Sequence, residues 1–186
     1  MAAMRAVDPR VSFAELQQWP DDGRRYELYD GEVVVAPAPL PRHQRVAWNV
    51  GDVLKAYERA TGGLVFAVPI DIVFSEFDVL QPDVVFFRKE RRHLLSMMEA
   101  TRAAPDLAVE VLSRSTEARD RGRKMDVLAR FGVAEYWIVD PVADALEVYA
   151  NTGGRFELAG AYDRTQDVDS PTLERLHFAA ARIFEE

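Results

Sequence analysis

The order of apolar and polar positions divides the chain into short strands, two main helices and charged connectors. Ser12-Phe13-Ala14-Glu15-Leu16 places Ser three residues before Glu, a capping box that predicts a short helix, and Pro20-Asp21-Asp22-Gly23 closes it. Residues 1 to 10 read as a loose terminus. Arg25–Tyr29 and Glu32–Ala36 flank Asp30-Gly31, the pair that favours a type I′ turn, so two antiparallel strands are predicted there. Pro37, Pro39 and Pro41 break regularity. Val46, Ala47, Val50, Val53, Leu54 and Tyr57 then recur at helical spacing between His43 and Ala60, which predicts the longest helix, ended by Thr61-Gly62-Gly63. Leu64–Phe74 and Val79–Phe87 read as two strands joined by a turn at Ser75–Asp78. Arg88 to Arg102 reads as a charged crossover with a short helix around Leu94–Met98, in which Met97 and Met98 serve packing.

Beyond it, Leu107-Ala108-Val109-Glu110-Val111-Leu112 is an apolar run with one carboxylate inside it, the pattern of a strand buried on both faces apart from that charge. Ser113–Thr116 turns the chain into a helix with Met125, Leu128 and Ala129 on its apolar side. Ser115 or Thr116 is placed to cap it, and Gly132 to end it. Glu135–Val139 follows as a strand closed by Asp140-Pro141, with Leu146–Tyr149 as its hairpin partner and Phe156–Leu158 continuing the meander. In the tail, Leu173, Leu176 and Phe178 are expected to cover an edge of the core.

Composition narrows the class. A chain of 186 residues with 48% hydrophobic content can bury one substantial core, and its length fits a single domain over 1–186. Without cysteine, disulfides, thiolate catalysis and thiolate zinc sites are excluded, and a reducing compartment fits. No secretory leader and no apolar run near the ~20 residues of a membrane span is present, so a cytoplasmic protein without a membrane is expected. The formal charge of −8 disfavours indiscriminate coating of nucleic acid, which needs clustered cations. A local basic cleft remains open, because Arg88, Lys89, Arg91, Arg92, Arg114, Arg119, Arg121, Arg123 and Lys124 lie in mid-chain.

The chemistry sits in acids embedded among apolar residues. Glu110 needs a metal, an ion pair or the open end of the sheet, since an unpaired buried carboxylate is costly. Asp83 stands at the entrance of an apolar strand in Gln81-Pro82-Asp83, where it either joins a site or accepts backbone N–H bonds. Asp71 is a further embedded acid. Glu27 faces either solvent or a site. His43, at a helix entrance, is by base rate a surface or capping residue. Asp120 and Lys124 lie one helical turn apart, and taken alone they read as an exposed ion pair worth a few tenths of a kcal/mol. Asp83 and Glu110 on adjacent strands would share a cation, and two carboxylates with a main-chain carbonyl, such as that of Val111, suffice for Mg²⁺.

Together these segments resemble the PD-(D/E)XK nuclease-like superfamily, and within it the Uma family of restriction-endonuclease-like proteins. The matching segments are Tyr26-Glu27-Leu28-Tyr29-Asp30-Gly31-Glu32, Pro41-Arg42-His43, Gln81-Pro82-Asp83, Glu110-Val111-Leu112-Ser113 with Ser115-Thr116, Asp120 to Lys124, and Gly132-Val133-Ala134-Glu135-Tyr136-Trp137 with Asp140-Pro141. The resemblance implies an α/β (α+β) fold. Its restriction-endonuclease-like core, about residues 26–149, would be a mixed β-sheet flanked by helices, with an N-terminal hairpin and a C-terminal β meander. It further implies Asp83, Glu110 and Lys124 as catalytic residues, Asp83 and Glu110 as metal ligands, and Glu27 and His43 as accessory site residues. One departure is plain. The lysine usual two positions after the second acid is Leu112 here, so the role passes to Lys124.

The expected activity is metal-dependent phosphodiester hydrolysis on DNA, with Mg²⁺ or Mn²⁺ as cofactor and a lysine assisting the attacking water. Cutting both strands needs two sites, which makes a homodimer the natural assembly. Two alternatives stand beside it: a nuclease scaffold kept for binding or regulation without turnover, which the displaced lysine permits, and a hydrolase of a smaller phosphoester. Tyr136 and Trp137 are assigned to packing.

Overall fold

The computed structural model describes residues 10–186; the terminus expected to be loose lies, apart from Arg10, outside the described residues. The strands are β1 (Arg25–Tyr29), β2 (Glu32–Ala36), β3 (Leu64–Phe66), β4 (Ile72–Val73), β5 (Val79–Leu80), β6 (Val84–Phe87), β7 (Leu107–Val111), β8 (Glu135–Asp140), β9 (Ala145–Asn151), β10 (Phe156–Asp163), β11 (Asp167–Asp169) and β12 (His177–Ala179). Six of them form a central sheet in the order β10-β9-β8-β7-β6-β3, in which only the β7–β8 pair is parallel. A smaller sheet, β2-β1-β5-β4, lies to one side.

Side-chain alternation along the central strands divides the core in two. Val84, Phe86, Val109, Val111, Trp137 and Val139 face one way, against Val46, Val50, Val53 and Leu54 of α2 (Pro41–Thr61) and against Leu173, Leu176 and Phe178 of the tail. Val85, Phe87, Ala108, Tyr136 and Ile138 face the other way, onto Val127 and Leu128 and onto Tyr29 and Leu80 of the smaller sheet. Burying each of these large side chains contributes about 1.5–3 kcal/mol. The same period of two assigns the acids. Asp83 shares a face with Val85 and Phe87, Glu110 shares one with Ala108, and the antiparallel register pairing Val84 with Val109 continues to set residues 83 and 110 opposite each other, one rung beyond that pair. Both acids therefore belong to the second face.

Local signals account for the remaining elements. Ser12 and Glu15 complete a reciprocal capping box on α1 (Phe13–Leu16), which ends sooner than the Pro20 turn. Asp30 and Gly31 have φ of 49° and 79°, the positive pair that a type I′ hairpin requires. Pro41 opens α2 at its first turn instead of breaking it, where a missing N–H costs nothing. The helix over the second face is composite: α3 (Glu117–Arg119), a π-helical turn (Asp120–Lys124) and α4 (Met125–Arg130). Thr116 occupies its N-cap without a side-chain cap bond. At its far end Gly132 (φ 82°) donates to Ala129 O, and Val133 donates to Leu128 O, the paired bonds of a Schellman ending.

Four expectations are corrected. The strand expected over 64–74 breaks into β3 and β4 around Pro69, and the one over 79–87 breaks into β5 and β6. Pro82 lacks an N–H and disfavours a helical residue before it, and across this break the chain leaves the small sheet at β5 and enters the large one at β6. The crossover helix is a 3-10 segment at Lys89–Leu94, upstream of the stretch predicted. Met97 and Met98 are 72% and 92% exposed and take no part in the core.

Candidate active site

The break between β5 and β6 produces a cleft of about 580 Å³. Its floor combines Glu27 of β1, Asp83 of the break, Glu110 of β7, and Asp120 and Lys124 of the π turn, while His43 of the first turn of α2 lies at its side. Five ionisable residues here are all but sealed, with relative exposures of 1% for Glu27, 9% for Asp83, 4% for Glu110, 1% for Asp120 and 3% for Lys124.

The contacts are specific. Lys124 Nζ lies 2.7 Å from Glu27 Oε1 and 2.7 Å from Glu110 Oε1, although Glu110 Oε1 stands off the hydrogen-bonding direction. Glu27 also accepts the Tyr29 hydroxyl at 2.8 Å and the Gln81 N–H at 2.9 Å, and Arg119 Nε is 3.9 Å from its other oxygen. Asp83 Oδ2 accepts the Val111 N–H at 2.9 Å and lies 3.1 Å from His43 Nε2. Both carboxylate oxygens of Asp120 are buried without a hydrogen-bond partner.

The electrostatics follow from crowding four acids around one lysine. Burial pushes Glu110 up, Lys124 opposes it, and Asp83, Asp120 and Glu27 add to the rise, so its carboxyl is held well above the usual range. For Asp120 burial also outweighs Lys124 and raises it. Burial opposes ionisation of Glu27 and Asp83 as well, but Lys124 and hydrogen bonds hold Glu27 below its ordinary value, and His43 and Lys124 do the same for Asp83. Desolvation pulls Lys124 down, but the glutamates more than compensate, and its ammonium is held well above the usual value. Lys124 is therefore a cation at neutral pH, a hydrogen-bond donor and charge carrier rather than a free amine.

The structure thus brings Asp83, Glu110 and Lys124 together with Glu27 and His43. It overturns the surface reading of the Asp120 and Lys124 pair, since both are buried and the ammonium turns to Glu27 and Glu110. The mid-chain cations do not act as one patch. Arg91 engages Asp106, Arg121 engages Glu147, and Arg123 engages Glu32, whereas Arg114 and Arg119 line the cleft with Arg25 and with Arg42, which engages Asp144.

A family model described as "Putative restriction endonuclease" (Uma2) matches residues 13–181, nearly the whole chain. The chain belongs to the Uma2 family. A solved structure with the same fold, a "putative nuclease belonging to DUF820" from Anabaena variabilis ATCC 29413, superposes with a TM-score of 0.77 at 18% identity, covering 94% of this chain and 97% of that one. The Uma2 chain thus has a restriction-endonuclease-like α+β fold. No curated protein matches it.

Sequence reasoning did not single out Tyr29, Gln81 and Arg119, which touch Glu27, or the isolation of Asp120. For Tyr29 the signal existed: residues 27 and 29 share a strand face by the period of two. For Asp120 there was none, because its burial depends on how the helix seats against the smaller sheet.

Proposed function

We propose that this protein is a divalent-metal-dependent nuclease that hydrolyses DNA phosphodiesters, with Asp83 and Glu110 as metal ligands and Lys124 as the residue that positions water and offsets charge at phosphorus. One observation carries the reading: a sealed lysine bridges two sealed glutamates beside Asp83, on the floor of an open cleft. Buried charges on this scale are a poor route to stability, and perturbed, converging groups in a cleft are a mark of active sites.

The donor set suits Mg²⁺ or Mn²⁺. Among the described residues no group of three or more His, Cys, Asp or Glu assembles into a ready cage, and Mg²⁺ does not need one, being held by one or two carboxylates, waters and substrate phosphate. The carboxylates are hard oxygen donors, Glu110 carries an oxygen with no aligned donor, and the surplus of acids over cations leaves charge for a dication to offset. When bound, such an ion supplies Lewis-acid polarisation of the phosphoryl oxygen and acidification of water.

The chain's own groups divide the rest of the work. The Val111 N–H and His43 hold Asp83 in place, and Tyr29 and Gln81 do so for Glu27, which with Glu110 fixes the Lys124 ammonium. A fixed cation that need not reorganise stabilises charge building up on phosphorus. Arg25, Arg114 and Arg119 line the cleft, giving local phosphate affinity within a chain of net charge −8, while Arg42 beside them is held by Asp144 at 2.8 Å. Cutting both strands needs a second site, so a homodimer belongs to the same reading. Leu112 fills the usual lysine position, and Lys124 reaching Glu110 from the π turn favours turnover over a silent scaffold.

Supercoiled plasmid incubated with Mn²⁺ tests this. Wild type should nick or linearise it, while Asp83→Asn and Glu110→Gln should be slower by at least about 100-fold, the scale on which even metal-orienting residues act. A wild type that leaves the plasmid intact contradicts the reading, and equal cutting by all three proteins betrays a contaminant.

A further inference from the structure

Water attacking phosphorus must hand a proton to an acceptor, and Lys124 is badly placed to take it. Its nitrogen is a cation held 2.7 Å from two carboxylates, with no lone pair to accept a proton. Glu27 accepts from Tyr29, Gln81 and Lys124, and Asp83 accepts from Val111 and touches His43. Asp120 differs. It is 1% exposed, it lines the cleft, and neither of its oxygens has a hydrogen-bond donor; the Thr116 hydroxyl helps its charge without reaching hydrogen-bond geometry. Leaving an acceptor unsatisfied inside a protein is costly, so an orphaned carboxylate is a candidate for a partner that arrives with substrate.

Its placement has a local cause. Asp120 opens and Lys124 closes a π-helical turn of five residues, a helix irregularity concentrated at functional sites. Tyr136 of β8 donates its hydroxyl to the Asp120 carbonyl at 3.1 Å, which anchors the backbone and leaves the side chain out of that contact.

Resting on the proposed nuclease activity, we propose that Asp120 is a further catalytic residue, the acceptor for the attacking water, with Lys124 as the donor on the water's other side. In the step, the water oxygen forms a bond to phosphorus as one of its protons passes to an Asp120 carboxylate oxygen. The phosphorus–oxygen bond to the leaving nucleotide breaks, and that alkoxide takes a proton from solvent water. The charged groups acting on Asp120 are Lys124 and Arg119 of its own helix, Glu27 of β1 and Glu110 of β7.

The test compares wild type with Asp120→Asn, which keeps the shape and removes the proton acceptor. Plasmid cleavage in Mn²⁺ is followed from pH 6 to 9, with Mn²⁺ affinity by calorimetry and the melting temperature as separate readouts. Asp120→Asn should lose on the order of 10²-fold in kcat, bind Mn²⁺ as wild type does, and regain rate about tenfold per pH unit as hydroxide replaces the assisted water. Asp120→Glu, which restores a carboxylate, should recover part of the loss. Unchanged cleavage by Asp120→Asn overturns the inference while leaving the nuclease reading intact. Mn²⁺ affinity lost with activity overturns it in favour of a metal ligand, and a rate that falls only with melting temperature overturns it in favour of a structural role. A wild type that cuts nothing overturns both.

Discussion

An ammonium taken out of water costs several kcal/mol unless carboxylates in good geometry offset it, and Lys124 has two at 2.7 Å. The arrangement overshoots, because Asp83 and Asp120 stand near the same centre and Glu110 is left as the acid that burial and its neighbours most oppose. A carboxyl raised on folding binds more protons folded than unfolded. Its contribution is therefore fully present below its ordinary value near 4.5 and lost as pH rises through the folded value. Glu110→Gln removes that loss while Glu27 still pairs Lys124. In metal-free protein the substitution should raise the melting temperature at pH 8 by about 2–4 °C per kcal/mol recovered, with little or no gain at pH 4.5. Calorimetry at the two pH values checks this, and an equal change at both would mean that ionisation of Glu110 is not opposed.

Among the elements, the composite helix has most to explain. Its apolar side and its glycine ending were legible in the sequence, because Leu128 and Ala129 keep helical spacing and Gly132 occupies the left-handed position that a Schellman ending demands. Gly132 has φ 82°, and a methyl group added there would meet nothing within 4 Å, so Gly132→Ala carries backbone strain alone. It should cost about 1–2 kcal/mol, seen as a shift of the urea midpoint at constant slope; no shift would mean that the ending relaxes without penalty. The π turn was not legible, since no residue type marks an i to i+5 bond. The break at Gln81-Pro82-Asp83 was only half legible. Pro82 marked a strand entrance, but that the chain changes sheets there depends on β5 pairing with β1 and β4, a long-range choice that local pattern does not encode.

At the scale of the whole molecule, the mixed sheet, the N-terminal hairpin and the C-terminal meander could be read from alternation because each strand buries both or one of its faces in a regular way. Of the candidate site, Glu110 and Asp83 stood out as acids set against apolar runs, while Glu27, His43 and Lys124 were drawn in by the family resemblance. What could not be read is which cations face the cleft, because that depends on how the composite helix and α2 sit against the two sheets. Arg114 is exposed at the cleft edge, and a phosphate contact there contributes affinity without sequence preference. Arg114→Ala should weaken DNA binding similarly for unrelated sequences and lower the slope of log affinity against log salt by about 1. Fluorescence anisotropy across a salt series measures it, and an unchanged slope would remove Arg114 from the interface. The central claim, that chain segments far apart in sequence converge on one divalent ion, is tested most directly by the anomalous difference map of a Mn²⁺-soaked crystal. The account predicts a peak between the Asp83 and Glu110 carboxylates at oxygen distances near those of a hard divalent ion, about 2.0–2.6 Å; a peak elsewhere, or none at saturating Mn²⁺, would contradict it.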